Sequence, residues 1–363
     1  MEEAFAEQIV PGTFIRVLSE GLIAPKGIAF GNVGIVGTAA AAADAPAGTL
    51  GRTHILGSLE DAQRLFKARP VNNADADPFS LMRGLAVLFG NGARTVYAHG
   101  LAAPADTAAF NAGIAELLKD EINILVAPEL TTEVARTALG SALETAENDG
   151  RDLMGVIGAD AVGVAAIGAQ VVANKRIVLA APAVRAFDPV VGDLAVLPAG
   201  FSACAVAGLM ASLAPQSSPT NKVLPGIAGL ATRFSYGELK ALLTDNVCVL
   251  EDRQGIRVVR GITTEGAAFA QITTRRIVDF AKAGVRQVAN PFIGKLNNER
   301  VRKALHGALD SFLTTMVVDE ALTGYELEVK ASRADEIAGR CVVNVSMQPT
   351  FSIDYIRVTL ALS

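Results

Sequence analysis

Apolar and polar positions recur along this chain with two periods. In SLEDAQRLFKA, Leu59, Ala62, Leu65 and Phe66 share a helical face, and Ser58 stands where a cap belongs. DPFSLMRGLAVLFGNGARTVYAHGL reads as a helix with Phe79, Met82, Leu85, Ala86 and Phe89 on one side, then a Gly-rich turn, then a strand. From there, amphipathic helices (TAAFNAGIAELLKD, TEVARTALGSALETAEND, AVGVAAIGAQVVA) alternate with continuous apolar runs (INILVAPEL, LMGVIGAD, RIVLAAPAVRAF). A further short strand falls at Val33 to Val36. Buried strands alternating with helices predict a parallel α/β layer covered on both faces, spanning residues 93–245.

From Gln216 onward the pattern changes. QSSPTNKVLPGIAGL reads as a loop and SYGELKALLTDN as a helix capped by Ser235. VCVLEDRQGIRVVRGITT reads as a hairpin turning at Asp252 to Gly255, and ITTRRIVDFAKAGV as a helix stopped at Gly284. A longer helix follows, capped by Asn297 or Asn298, with Val301, Leu305, Ala308, Phe312 and Met316 on one face. YELEVKAS and RCVVNVSMQPT form a strand pair. The expected division is an arm at 1–22, a small β/α region at 23–92, the α/β domain at 93–245, an α+β domain at 246–346 and an arm strand at 347–363.

Both expected arms are sticky. VPGTFIRVLSEG begins at Val10, and MQPTFSIDYIRVTLALS runs from Met347. A strand of about ten residues spans roughly 33 Å and is not stable as a lone element in water. Such an edge invites pairing with another chain.

Composition narrows the function classes. Of 363 residues, 51% are apolar and 19% charged, which is globular, and the net charge of -5 offers no broad basic field for nucleic acid. LAVLPAGFSACAVAGLMASLA, Leu194 to Ala214, is uncharged and nearly long enough to span a membrane. Its Ala, Gly and Ser content, with Pro198 and Gly200 inside, favours a buried helix after a turn. MEEAFAEQIV lacks the basic-then-apolar order of a signal peptide. Cys204, Cys248 and Cys341 have neither disulfide nor zinc spacing and read as reduced thiols.

Catalytic constellations are hard to assemble. GNVGIVG, Gly31 to Gly37, has GxxGxxG spacing rather than a nucleotide fingerprint, and reads as glycines relieving a tight strand. His54, His99 and His306 stand in no motif, and Asp188, Asp193, Asp245 and Asp252 sit in turn contexts. No cofactor or metal set is indicated. Lys295, Arg300, Arg302 and Lys303 cluster at the start of the long helix, where positive charge opposes the macrodipole and an acidic partner surface would explain it. Two classes stay open: a structural polymer subunit, and an α/β hydrolase-like or nucleotide-dependent enzyme.

The linked order of motifs resembles a contractile tail sheath protein, the sheath subunit of myophage tails, R-type pyocins and contractile injection systems. VPGTFIRVLSEGLIAPKGIAFGNVGIVGTA is similar to the family's opening, NILVAPEL to its ILVAP strand, and LPAGFSACAVAGLMASLAPQSSPTNKVLPGIAGL to its PPSG-to-PANEVLRGV pattern. TTRRIVDFAK and the stretch from Asn290 to Val329 complete the likeness. The resemblance implies a subtilisin-like middle layer without a triad, a C-terminal strand–helix–strand domain, and strand arms. It implies arms made by Pro11, Phe14, Ile15 and Val17 at one end and Phe351, Ile353, Tyr355, Ile356 and Val358 at the other, hinged at Gly21 to Gly27 and Met347 to Pro349. These would join a neighbour's sheet. The implied partners are other copies in stacked hexameric rings, an inner tube, and baseplate and terminator proteins, with no nucleic acid and no membrane insertion. The implied setting is a virion tail or contractile particle assembled in the bacterial cytoplasm. The basic cluster would face the tube. Contraction would need no nucleotide, being the fall of a bistable lattice into a state with more buried contact.

Overall fold

The computed structural model describes residues 28–67 and 79–361. The expected N-terminal arm, with Pro11, Phe14, Ile15 and Val17, and its hinge lie outside the described residues. The chain divides into two compact units. The larger takes Ala29–Ala283 and the segment from Pro349 onward, and the smaller takes Gly284–Gln348.

The larger unit opens with β1 (Val33–Thr38), β2 (Thr53–Leu56), α1 (Leu59–Leu65), α2 (Ser80–Gly90) and β3 (Val96–Leu101). Next come α3 (Thr107–Leu117), β4 (Ile124–Val126), α4 (Thr132–Asn148), β5 (Met154–Gly158), α5 (Val164–Ala169) and β6 (Ile177–Ala181). After these run β7 (Val184–Asp188), β8 (Asp193–Leu197), α6 (Ala199–Ser212), β9 (Ile227–Leu230), α7 (Tyr236–Thr244), β10 (Cys248–Asp252), β11 (Ile256–Val258) and α8 (Ile272–Ala289).

Among the described residues the main sheet has eight strands in the order β11-β10-β6-β5-β4-β1-β3-β2. The six inner strands are parallel, and β11 and β2 close the edges antiparallel. Side-chain alternation gives each strand two buried faces. Val33, Ile35, Ile124, Val126, Val178 and Ala180 join the core under α2 and α6. Val36, Leu125, Leu179 and Ala181 join the core under α3, α4 and α7. This is why the strands read as continuous apolar runs.

Several expectations are corrected. The boundary at 92 runs through the sheet, because β1 lies at its centre, paired with β3 and β4. The boundary at 245 does the same, because β10 pairs in parallel with β6. RIVLAAPAVRAF is two strands, β6 in the main sheet and β7 in a three-stranded sheet ordered β8-β7-β9. The stretch read as a loop, Gln216 to Leu230, supplies β9. Helix α2 is buried at Leu81, Val87 and Leu88 as well as Met82 and Leu85, while Ala86 and Phe89 are only half-buried. It packs against β1, α6 and β7 together, so its amphipathic face widens beyond one stripe.

The uncharged stretch divides into the end of β8 and helix α6, whose residues from Phe201 to Ala211 are all buried. Gly200 is required there: a Cβ would stand 1.9 Å from the Pro128 carbonyl oxygen. Among the described residues no helix is long and apolar enough to cross a membrane. Helix α8 is fastened to the sheet by a buried ionic cluster. The Arg176 guanidinium, 2% exposed, donates to Glu147 (3.0 Å), Asp152 (2.7 Å), Asp279 (2.9 Å) and the Leu153 carbonyl (3.1 Å). Lys282 pairs with Asp152, and Arg275 with Asp279.

The smaller unit holds the end of α8, then α9 (Glu299–Val318), β12 (Leu322–Lys330), α10 (Arg333–Ile337) and β13 (Val342–Pro349). Leu305, Leu309, Phe312, Leu313 and Met316 of α9 are buried. Asn298 is the cap, its side chain accepting from the Val301 amide at 3.0 Å. Helix α8 does not stop at Gly284 but runs through it to Ala289. β12 and β13 are the expected strand pair, and the short helix α10 lies between them in the chain.

Candidate assembly interface

β12 and β13 form a two-stranded sheet. Thr323 Oγ1 donates to the Gln348 carbonyl (3.2 Å), Asn344 Nδ2 to Glu328 (2.9 Å), and Cys341 Sγ lies 3.8 Å from the Lys330 carbonyl. These pairings run in opposite senses along the two strands, so the pair is antiparallel. Helix α9 covers one face, and Tyr325 reaches it, donating to Asp310 Oδ1 at 2.7 Å. Along β12, Tyr325, Leu327 and Val329 are half-buried while Glu326, Glu328 and Lys330 are exposed. Along β13, Val343, Val345 and Met347 are half-buried while Asn344, Ser346 and Gln348 are exposed. Lys330 and then Asn344 hold the Glu328 carboxyl below the usual carboxylate range. A pair of strands is marginal by itself, and among the described residues both outer edges are open to strand addition.

The segment after β13 behaves differently. Met347 to Pro349, expected to hinge, are strand residues of β13, so the arm starts at Thr350. Thr350 to Ala361 has no regular secondary structure. Phe351, Ile353, Tyr355, Ile356, Val358 and Leu360 are between 64% and 85% exposed. Burying a side chain of this kind is worth about 1.5–3 kcal/mol, so six in a row are a large unclaimed driving force. Ser352 and Asp354 turn inward between them. Asp354 accepts from Arg260 Nε at 2.7 Å, and Gln271 bonds the backbone of Ser352.

The basic cluster is largely answered within its own unit. Arg302 donates to Glu336 and to Asn297 Oδ1, both at 2.9 Å. Lys303 pairs with Glu299 at 2.8 Å in the first turn of α9, and Lys295 lies 4.5 Å over the Phe292 ring. Arg300 is exposed. The acidic groups that balance the helix start are therefore Glu299 and Glu336, which sequence spacing did not pair with it.

The other singled-out residues have ordinary places. His99 is buried, with Nδ1 3.2 Å from Thr53 Oγ1, and burial lowers its pKa. His54 Nε2 lies 2.9 Å from the Thr49 carbonyl, and His306 is half-buried on α9. Asp188 is buried against Arg83 at 2.9 Å, Asp193 accepts from the Leu194 amide, Asp245 caps α7, and Asp252 pairs with Arg233. GNVGIVG leads into and forms β1, a buried central strand. Cys204 and Cys248 are buried and Cys341 exposed; burial pushes both buried thiols up, Cys248 to about 12. Among the described residues no group of His, Cys, Asp and Glu is arranged to hold a metal ion.

The described residues thus combine an α/β body with a two-stranded ribbon and a segment of exposed apolar side chains. Comparison with known proteins gives the family. Residues 100–264 match the phage tail sheath protein central domain, and residues 264–363 match the phage tail sheath C-terminal domain. The chain belongs to the contractile tail sheath proteins, which supports the structural class of the two left open by sequence. Its fold is similar to a chain of the anti-feeding prophage baseplate (TM-score 0.76, 19% identity, 98% of this chain and 99% of that one). It is also similar to the contracted PVC sheath of an extracellular contractile injection system (TM-score 0.73, 15% identity, 99% and 98% covered). A third likeness is to the sheath tail protein Lin1278 from Listeria innocua (TM-score 0.68, 13% identity, 90% and 94% covered). No curated protein matches the sequence.

Proposed function

We propose that this chain is the repeating unit of a contractile sheath, and that its arms complete the β12–β13 sheet of neighbouring copies. The observation that carries this is the row of exposed strand formers from Phe351 to Leu360, in a molecule that also offers unpaired strand edges. Strand addition supplies a row of main-chain hydrogen bonds, each worth about 0.5–1.5 kcal/mol net, and buries the apolar stripe as well. Pro11, Phe14, Ile15 and Val17 would supply a second strand in the same way. A mesh joined by such arms stays connected while its subunits rotate from an extended lattice to a contracted one.

The copies would stack as rings around an inner tube, between baseplate and terminator proteins, in a particle put together in the bacterial cytoplasm. The tube-facing role narrows to Lys295 and Arg300, which are the exposed members of the basic cluster without a carboxylate partner described above. Contacts through hydrated charges are weak enough to break on contraction.

Deleting Ile356–Ser363 tests the reading. The truncated protein is expected to fold with native circular dichroism and thermal transition, yet to remain unassembled where the intact protein forms tubes by negative-stain microscopy. Tubes of normal length from the truncated protein would refute the arm assignment.

A further inference from the structure

We infer that Asp354 is a latch: it holds the root of the C-terminal arm on the subunit's own larger unit, so that the strand handed to a neighbour begins at Ile356 rather than at Thr350. This rests on the arm reading above and adds what positions the arm.

The Asp354 side chain is only 6% exposed, although Ile353 and Tyr355 on either side stand in solvent. A carboxylate leaves water readily only where charge and donors replace its hydration. Here Oδ2 accepts from Arg260 Nε at 2.7 Å and from Gln271 Nε2 at 3.1 Å, and Oδ1 accepts from Thr220 Oγ1 at 3.3 Å. Gln271 does more. Its Oε1 accepts from the Ser352 amide and its Nε2 donates to the Ser352 carbonyl, both at 3.1 Å. One side chain thereby offers the paired donor and acceptor that a neighbouring strand would offer. The Arg260 guanidinium also lies 5.5 Å from the centre of the Tyr355 ring. The three socket residues come from separate places in the larger unit: Thr220 before β9, Arg260 after β11, and Gln271 immediately before α8.

The side-chain alternation changes phase at the same point. Phe351, Ile353 and Tyr355 are apolar on odd positions, with Ser352 and Asp354 between them facing the socket. Beyond Tyr355 the apolar residues are Ile356, Val358 and Leu360, with Arg357 and Thr359 between. Successive side chains of a strand point to opposite faces, so one continuous strand would carry its apolar stripe first on one face and then on the other. No single sheet with one buried face accepts that. The segment is therefore two pieces, an anchored root and a delivered strand, joined where the latch sits. Freeing residues 350–355 would add about 20 Å of slack, at roughly 3.3 Å per residue. A latched root transmits a neighbour's displacement without that slack.

The test uses the full chain and three variants: Asp354→Asn, the charge swap Arg260→Asp with Asp354→Arg, and the deletion of Ile356–Ser363. Hydrogen exchange of the peptide covering residues 350–355 is read on unassembled protein, and tube formation is read against concentration. Asp354→Asn is expected to speed exchange there about tenfold or more, and to raise the concentration needed for tubes about tenfold, with exchange elsewhere unchanged. The charge swap is expected to recover part of both. The deletion is expected to abolish tubes while exchange at Ser352 stays slow. Unchanged exchange in Asp354→Asn overturns the latch and leaves the arm reading intact. Faster exchange with tubes at the normal concentration overturns its positioning role. Tubes from the deletion overturn the arm reading, while slow exchange in that variant still upholds the latch.

Discussion

Gly284 sets how closely two helices of the smaller unit meet. A Cβ at that position would stand 1.9 Å from Phe312 Cζ and 2.5 Å from both Cε atoms of the ring. Replacement by Ala, usually favourable inside a helix, is expected instead to cost about 1–3 kcal/mol through overpacking. Phe312→Leu in the same background should return part of that, and a double-mutant cycle by urea unfolding measures the coupling. A glycine in a helical pattern looks like a stop signal from sequence, because the ring that needs the space lies 28 residues further along and in another helix.

Glu147 gives a pH prediction at the same scale. Hydrogen bonds from Arg176 are the chief cause that holds its carboxyl at about 2, with burial opposing and Lys175 assisting. A carboxylate depressed in the folded state contributes its stability above the unfolded value, near 4.5, and loses it as the pH falls toward 2. Allowing for its partial exposure, the contribution is on the order of 2 kcal/mol. The gap in urea midpoint between the intact protein and Glu147→Gln should therefore shrink from pH 5 to pH 3. A gap that stays constant would show that Glu147 does not titrate with folding.

At the scale of the element, α6 is held at its end by a residue from α8. Arg276 is buried and donates to the carbonyls of Leu213 (2.8 Å), Ala214 (3.3 Å) and Phe30 (3.2 Å). Burial pulls its pKa down to about 10, which still leaves it protonated near neutral pH. A cation at a helix C-terminus is favoured by the macrodipole, and these carbonyls have no helical partner. Arg276→Met is expected to cost about 2–4 kcal/mol, because the Leu213 and Phe30 carbonyls lose the donors Arg276 supplies, while Ala214 keeps the Ser217 amide. Arg276→Lys should fall between, keeping charge but losing the fork of donors. Denaturant midpoints followed by circular dichroism check the order. Most elements here were legible beforehand: the caps at Ser58, Ser235 and Asn298 and the alternating helix and strand runs depend on neighbours in sequence. The short strands β2 and β9 were not, because each is defined by pairing with a partner about 40 or more residues along the chain, and β8, the second strand of a hairpin with β7, was hidden in the uncharged stretch read as a buried helix after a turn.

For the whole molecule, the parallel sheet explains why so much was readable. Strands buried on both faces need continuous apolar runs, and crossovers need helices between them, so the pattern is written locally. The division into units was not. β1 and β10 carry the same residue types as any buried strand, and only their pairing partners place them in one sheet with β6 and β3. The segment from Phe351 to Leu360 carries six exposed apolar side chains, and the assembly role proposed for it is tested at this scale. It is apolar where a monomer would be polar, and the loss of tubes on deleting Ile356–Ser363 is the outcome expected at this scale.

What the amino-acid order determined alone is most of the succession of elements, their caps and the fold class, because each follows from spacing and side-chain type within about one turn or one strand. Tertiary structure decided the rest. It put Arg176 among three carboxylates, Arg276 on the end of α6, and Asp354 against Arg260 and Gln271. Those pairings join residues 24 to 246 positions apart, and a charge becomes an anchor only when folding brings its partner out of water to meet it.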